Sequence, residues 1–372
     1  MGRIVMNNLF KRILASAAAA VMLILPTGCG NGNDAEKTSA EAEPTAVSAE
    51  NEIKKVTISC AGDVTLGTDV NFGGYTMPEL MADKNNDYSY LFSNVKEIFE
   101  NDDLTIVNFE GTLTDRGVRQ DKTFAFKADP EYVQALSAGS IEAVTLANNH
   151  SSDYGEESAE DTKKYLEDAG IIWFENENAA VTEVNGVKVG LVGIYELDGS
   201  AAETLPIAMQ DVKDKGAELI IVEAHWGVEG ENTPTQSQID LAHEAVDLGA
   251  DLVIGHHPHV LQGVEKYNKK YIVYSMGNFC FGGNQNPSDK DTMIFRQTFS
   301  VRDGMVGTDD DYEIIPCSIS STSSYNDYCP TPLEGDAAAR VAEKIQSFSD
   351  RIGDGNLKLK FRGVDIEGDA DA

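Results

Sequence analysis

ADLVIGHHPH, residues 250–259, is a buried strand running into three histidines, and the rest of the chain repeats its pattern. The stretch is apolar and β-branched from Leu252 to Ile254, the composition of a short buried strand, and the histidines begin where that strand stops. Neutral imidazole is the commonest protein ligand for a metal ion, so several at one strand end point to a metal or to catalysis. Pro258 fixes the local backbone, and the His257-x-His259 spacing can aim two rings at neighbouring points in space. Over the wider stretch from His225 to Phe281, four of the chain's six histidines fall at strand ends.

Working outward, apolar runs stop on polar residues again and again. Val56, Ile58 and Cys60 alternate within Ile53–Ala61 and lead to Gly62-Asp63; Leu104–Phe109 leads to Glu110. Ala143–Ala147 leads to Asn148-Asn149-His150, Leu219–Ala224 to His225, and Tyr271–Ser275 to Gly277-Asn278. Val187–Tyr195 follows a turn at Asn185-Gly186. Helical faces lie between: Leu91, Phe92, Val95, Ile98 and Phe99 share one, and Ile239, Ala242, Ala245 and Val246 another. Strands alternating with helices predict an α/β architecture with helices packed on the sheet faces. Its ligand site is expected beyond the carboxyl ends of the strands. Two further strands, Thr292–Val301 and Glu313–Ile319, and a closing helix over Leu333–Ile352 complete one domain, residues 53–362. No repeat and no second core is visible.

The 372 residues suffice for a core that needs no disulfides, and the formal charge is −33. Loss of residues 1–28, which carry Arg3, Lys11 and Arg12 and no acids, makes it three units more negative. Such a field repels nucleic acid and anionic lipid headgroups, so neither is expected as a general partner. Lys11-Arg12, the apolar run Ile13–Leu25 and Pro26-Thr27-Gly28-Cys29 follow the layout of a secretory signal. Its small residues ending in Cys29 resemble a bacterial lipoprotein signal, which implies lipidation of Cys29 and an extracytoplasmic protein held on the cell membrane. An uncleaved anchor or plain secretion are the alternatives. Residues 29–52 have the composition of a flexible acidic tether, and 363–372 that of a frayed acidic tail. Cys60 and Cys280 read as buried thiols; no CxxC suggests zinc, and Cys317 and Cys329 are expected to stay unpaired.

The polar strand ends form a donor set. Carboxylates of Asp63 and Glu110, the amide oxygen of Asn149 and the imidazoles of His225, His257 and His259 suit Mn, Fe or Zn, with room for two ions bridged by one carboxylate. Two such ions can steady both oxygens of a displacement at phosphorus. His150 is then free as general acid, or serves as a supporting hydrogen bonder. Asn148, His256 and Asn278 are assigned to hydrogen bonds behind the ligands. Arg116 and Arg119, with Lys122 and Lys127, make a basic cluster just after Glu110. It is expected to receive an anionic group, a phosphate or a glutamyl carboxylate; a solvated loop is the alternative.

GDVTLG at 62–67, NFEGTLTD at 108–115, ANNHSSDYG at 147–155, HWGVE at 225–229, GADLVIGHHPHVLQGVE at 249–265 and YSMGNF at 274–279 resemble the CapA family. That resemblance implies a part in poly-γ-glutamate capsule synthesis and a fold similar to calcineurin-like metallophosphoesterases, a single-domain α/β sandwich of β-sheets flanked by α-helices. It places their first aspartate on Asp63, bridging carboxylate on Glu110, asparagine ligand on Asn149, catalytic histidine on His150, single histidine on His225 and closing pair on His257 and His259. Two departures stand out: Thr65 where a histidine is usual, and Glu110 where aspartate is usual. Two readings follow. One is a surface-tethered hydrolase of an anionic phosphoester or polymer. The other is a catalytically weak module for binding or assembly with envelope polymer-synthesis proteins.

Overall fold

The computed structural model describes residues 52–308, 310–353 and 355–366, all within one compact unit spanning 48–372. Expectations for the signal segment, Cys29, the tether up to Asn51 and the tail from 367 lie outside the described residues.

Three parallel strands open the first sheet: β1 (Lys54–Thr65), β2 (Leu104–Phe109) and β3 (Ala143–Thr145). Helix α1 (Glu156–Asp168) and a short strand at Ile172–Phe174 follow. The chain then builds a second sheet from β4 (Val187–Tyr195), β5 (Leu219–His225), β6 (Leu252–His256) and β7 (Lys270–Val273), again parallel, with α2 (Gln236–Asp247) between β5 and β6. Afterwards β8 (Asn278–Phe281) returns to the first sheet and lies parallel to β1. On the same flank of β1, away from β2, lie β9 (Asp291–Arg302) and then β10 (Tyr312–Ser318), both antiparallel to their neighbours. Helix α3 (Gly335–Ser349) closes the chain.

The two sheets face each other, and alternation within each strand sorts its side chains between layers. Val56, Ile58 and Ile106 from the first sheet meet Val189, Leu191, Ile221 and Ile254 from the second. On the outer face of the first sheet Val64, Val107, Phe109 and Val144 pack under Met77, Leu80, Phe92 and Phe99. On the outer face of the second, Val192, Val222 and Val253 pack under Leu205, Met209, Leu241 and Ala245. Strands covered on both faces need continuous apolar runs, which is why Leu252–Ile254 reads as it does. The expected sandwich of sheets flanked by helices is therefore the observed one.

Local details differ. Leu91–Phe99 is two short turns, a 3-10 turn over Tyr88–Phe92 capped by the Asp87 carboxylate and a single α-turn over Lys96–Phe99. The third strand stops at Thr145: after a last bond from the Leu146 amide to the Phe174 carbonyl, the Ala147 amide folds back onto the Thr145 hydroxyl. Asn278–Phe281, expected as the loop ending a strand, is itself a strand. Packing runs past Arg362: Phe361 pairs with Val364, and Val364 and Ile366 rest on the core between the sheets. Cys60, Cys280, Cys317 and Cys329 are all free and buried. Among the described residues no helix is long and apolar enough to cross a membrane.

Candidate metal centre

The carboxyl ends of both sheets open onto the same place. β1 and β8 bring Asp63 opposite Asn278, and β5 and β6 bring His225 opposite His256. The close approach at the first pair needs Gly62: a Cβ there would fall 2.0 Å from the Gly277 carbonyl oxygen, and the adjoining Asp63 amide donates to that oxygen at 2.9 Å. Beyond β6 the chain turns sharply, and His257 and His259 adopt φ of 94° and 58°. A β-carbon makes that region costly, by roughly 1 kcal/mol or more each, so the turn is held by its surroundings and aims both rings inward.

At the centre stands Glu110, fully buried, with neither carboxylate oxygen hydrogen bonded. Nitrogens of His257 and His259 and an oxygen of Glu110 lie within 4.8 Å of one another. His225 Nε2 is 3.8 Å from Glu110 Oε1 and 2.9 Å from Asn149 Oδ1. His150 Nε2 is 3.9 Å from the same Glu110 oxygen, while its Nδ1 sits 2.7 Å from Asp153 Oδ2 and its ring packs 4.7 Å from Phe126. His257 Nδ1 is also buried without a hydrogen-bond partner, whereas buried Asp63 Oδ2 faces His259 Nδ1 at 3.1 Å. Buried polar atoms normally find partners, so several orphans converging from both sheets fit a bound cation. The donors are carboxylate and imidazole, which fits a divalent transition ion.

Electrostatics agree with that fit. Burial pushes the Glu110 carboxyl up to about 7, against the opposing pull of His259. His259 rises to about 10 although burial works against it, because Glu110 and Asp63 face it. His225 and His257 are held down, first by burial and then by neighbouring histidines. Asp63 lies well below the usual carboxylate range despite burial, through hydrogen bonds with His256 and His259. Without a cation, the pocket balances its charge with protons that an ion would displace.

The supporting residues behave as follows. Asn148 donates to Asn108 Oδ1 and to the Phe109 carbonyl, and accepts from the His150 amide at 3.0 Å, which fixes the turn carrying His150. Asn278 Oδ1 is 3.0 Å from His259 Nδ1. His256 lies between Asp63 Oδ1 at 3.1 Å and Glu223 Oε2 at 2.6 Å. His243 is remote, bonded to Glu265 and stacked on Tyr267. Sequence reasoning passed over Asn108, Asp153 and Glu223. The first two stand inside quoted motifs, and Glu223 is an acid within the apolar run Leu219–Ala224, an anomaly that could have marked it.

The basic cluster is paired within the protein. Arg116 forks onto Asp161 of α1, with Nε and Nη2 contacts of 2.8 and 2.7 Å. Arg119 grips buried Asp69, and Lys127 lies over the Tyr154 ring. Both guanidinium groups are occupied by protein carboxylates, because partners invisible in the local sequence arrive from other parts of the fold. Lys122 alone of the four reaches the centre, donating to the Asn149 carbonyl and to Asp153 Oδ1, each at 2.7 Å.

Compared with known proteins, residues 57–283 match the family described as Bacterial capsule synthesis protein PGA_cap. The chain is 33% identical over 258 residues to the Capsule biosynthesis protein CapA of Bacillus anthracis, covering 62% of this chain and 61% of that protein. It is 28% identical over 295 residues to the PGA biosynthesis protein CapA of Bacillus subtilis, covering 72% and 74% respectively. The alignment thus spans less than two thirds of the first relative's length.

Proposed function

Because the chain belongs to the bacterial capsule synthesis family PGA_cap, we propose that it is a metal-dependent hydrolase of phosphoester type serving the synthesis of poly-γ-glutamate or a similar anionic envelope polymer. The observation that carries the catalytic part is the fully buried Glu110 carboxylate with both oxygens unpartnered among inward-facing histidines. The polymer comes from the family and its relatives; the residues themselves speak for a metal and for hydrolysis.

A divalent transition ion held by Glu110, His257 and His259 would supply Lewis-acid charge at the reacting oxygens. The chain's own groups do the rest. His150, with Nδ1 fixed by Asp153, presents Nε2 to the pocket and delivers a proton to the leaving oxygen. Lys122 clamps Asp153 and the Asn149 carbonyl, so the turn carrying His150 cannot swing away. Phe126 and Phe281, packed against His150 and His259, keep water from that side. Lipidation at Cys29 would hold the domain on the outer face of the cell membrane, among envelope synthesis proteins.

The test is elemental analysis of the purified protein and of His257→Ala, with a generic phosphodiester assay on both. Bound transition metal and turnover, each lost in the variant, support the reading. A second reading, a binding or assembly module, is favoured by Thr65, whose buried hydroxyl has no partner where the family resemblance expects a histidine. Metal without turnover on any phosphoester would favour it.

A further inference from the structure

Two-ion phosphoesterase centres use their first aspartate as a ligand, but the surroundings of Asp63 give it different work. Its Oδ1 accepts from Asn108 Nδ2 at 2.8 Å and faces His256 Nδ1 at 3.1 Å. Its Oδ2 faces His259 Nδ1, also at 3.1 Å, and Asn278 Oδ1 approaches that same nitrogen at 3.0 Å. His259 therefore turns Nδ1 to a carboxylate and an amide and turns Nε2 toward Glu110, 3.9 Å away. A carboxylate behind an imidazole in this way fixes the ring's tautomer and angle and raises its basicity as a ligand.

Asp63 is braced in its turn. His256 has one nitrogen on Asp63 and the other 2.6 Å from Glu223 Oε2, so neither is left for an ion. Glu223, His256 and Asp63 are each at most 1% exposed, and with His259 they form an unbroken file of alternating carboxylates and imidazoles ending beside Glu110. The residue two places after Asp63 is Thr65, which brings no imidazole. His225 and Asn149 are turned on each other at 2.9 Å. Among the histidines, cysteines and carboxylates of the described residues, Glu110, His257 and His259 bring one donor atom each within 4.8 Å of one another.

We propose that the centre holds one divalent ion rather than two, on Glu110, His257 and His259, and that Asp63, backed by His256 and Glu223, is a positioning residue for His259. This departs from the two ions expected from sequence and rests on the metal-centre reading above. The long file takes the place of a second cation in keeping Asp63 rigid.

The experiment loads the full chain with Mn²⁺ or Zn²⁺, counts bound ions by elemental analysis and titration calorimetry, and records the visible spectrum of the Co²⁺ form. One ion per chain is expected. Asp63→Asn should keep that stoichiometry and the Co²⁺ band pattern while binding roughly 10–100-fold more weakly. Glu223→Gln should weaken binding in the same direction and by less, and it keeps the test alive if Asp63→Asn fails to fold. Two ions in the unaltered chain, or a Co²⁺ spectrum reshaped in Asp63→Asn as by loss of a ligand, would overturn the proposal. No ion at all would instead overturn the metal-centre reading on which it rests.

Discussion

The pocket around Glu110 and the loop from Thr114 to Lys127 lie side by side, are similarly rich in charge, and are satisfied in opposite ways. In the loop every cation has a protein partner: Arg116 has Asp161, Arg119 has Asp69, Lys122 has Asp153 and Lys127 has the Tyr154 ring. In the pocket, both oxygens of Glu110 and a nitrogen of His257 have none. A closed charge network is architecture, whereas an open one is waiting for something from outside the chain.

That contrast breaks first at Glu110. Glu110→Gln removes the charged central donor, so stoichiometric metal binding in calorimetry should disappear. Chelation should lower the melting temperature of the unaltered protein and leave that of the variant unchanged; at a free ion concentration of 1,000 times Kd the linkage amounts to about 4 kcal/mol. Next comes pH. Glu110 at about 7 and His259 at about 10 both carry protons below those values, and an ion must displace them. Affinity therefore rises with pH, by roughly tenfold per unit for each proton displaced, or about 100-fold from pH 6 to 8 for His259 alone. Affinity that stays flat over that range would erase the distinction between pocket and loop.

On the loop side the signs reverse. Asp69→Ala strands Arg119 and the Asn71 and Ala125 amides that Asp69 accepts from. It should cost about 1–3 kcal/mol in denaturant unfolding with metal content unchanged. Arg116→Ala should do least, because its side chain is half exposed and surface pairs contribute little. A loss of substrate affinity in Arg116→Ala with stability intact would restore an anion-binding role to the loop.

How far the sequence reached follows from the same difference. Strands covered on both faces leave apolar runs that can be read directly, and so Leu104–Phe109 and Val187–Tyr195 lie where expected. Ligand-type residues at the ends of those runs are legible for the same reason. Pairing across the fold is not: nothing near Arg119 announces Asp69, 50 residues earlier. The bracing role of His256 likewise needs Glu223 from the neighbouring strand, a matter of register. Short pieces such as Asn278–Phe281 and the turns around Tyr88–Phe99 carry too few residues for a period to show.

The placement of β9 has a consequence for synthesis of the chain. The family match ends at residue 283, yet β1, the strand that delivers Asp63, has as its antiparallel neighbour a segment whose Thr298 meets Thr57 across 241 positions. On an emerging polypeptide the first sheet cannot close until β9 has left the ribosome. Contacts of such long range are slow to form, and they leave an apolar strand edge uncovered meanwhile. Cutting the protein back to its matched core would remove the strand that seals that edge, so β9 acts as a late-arriving cover for a sheet that β1 begins.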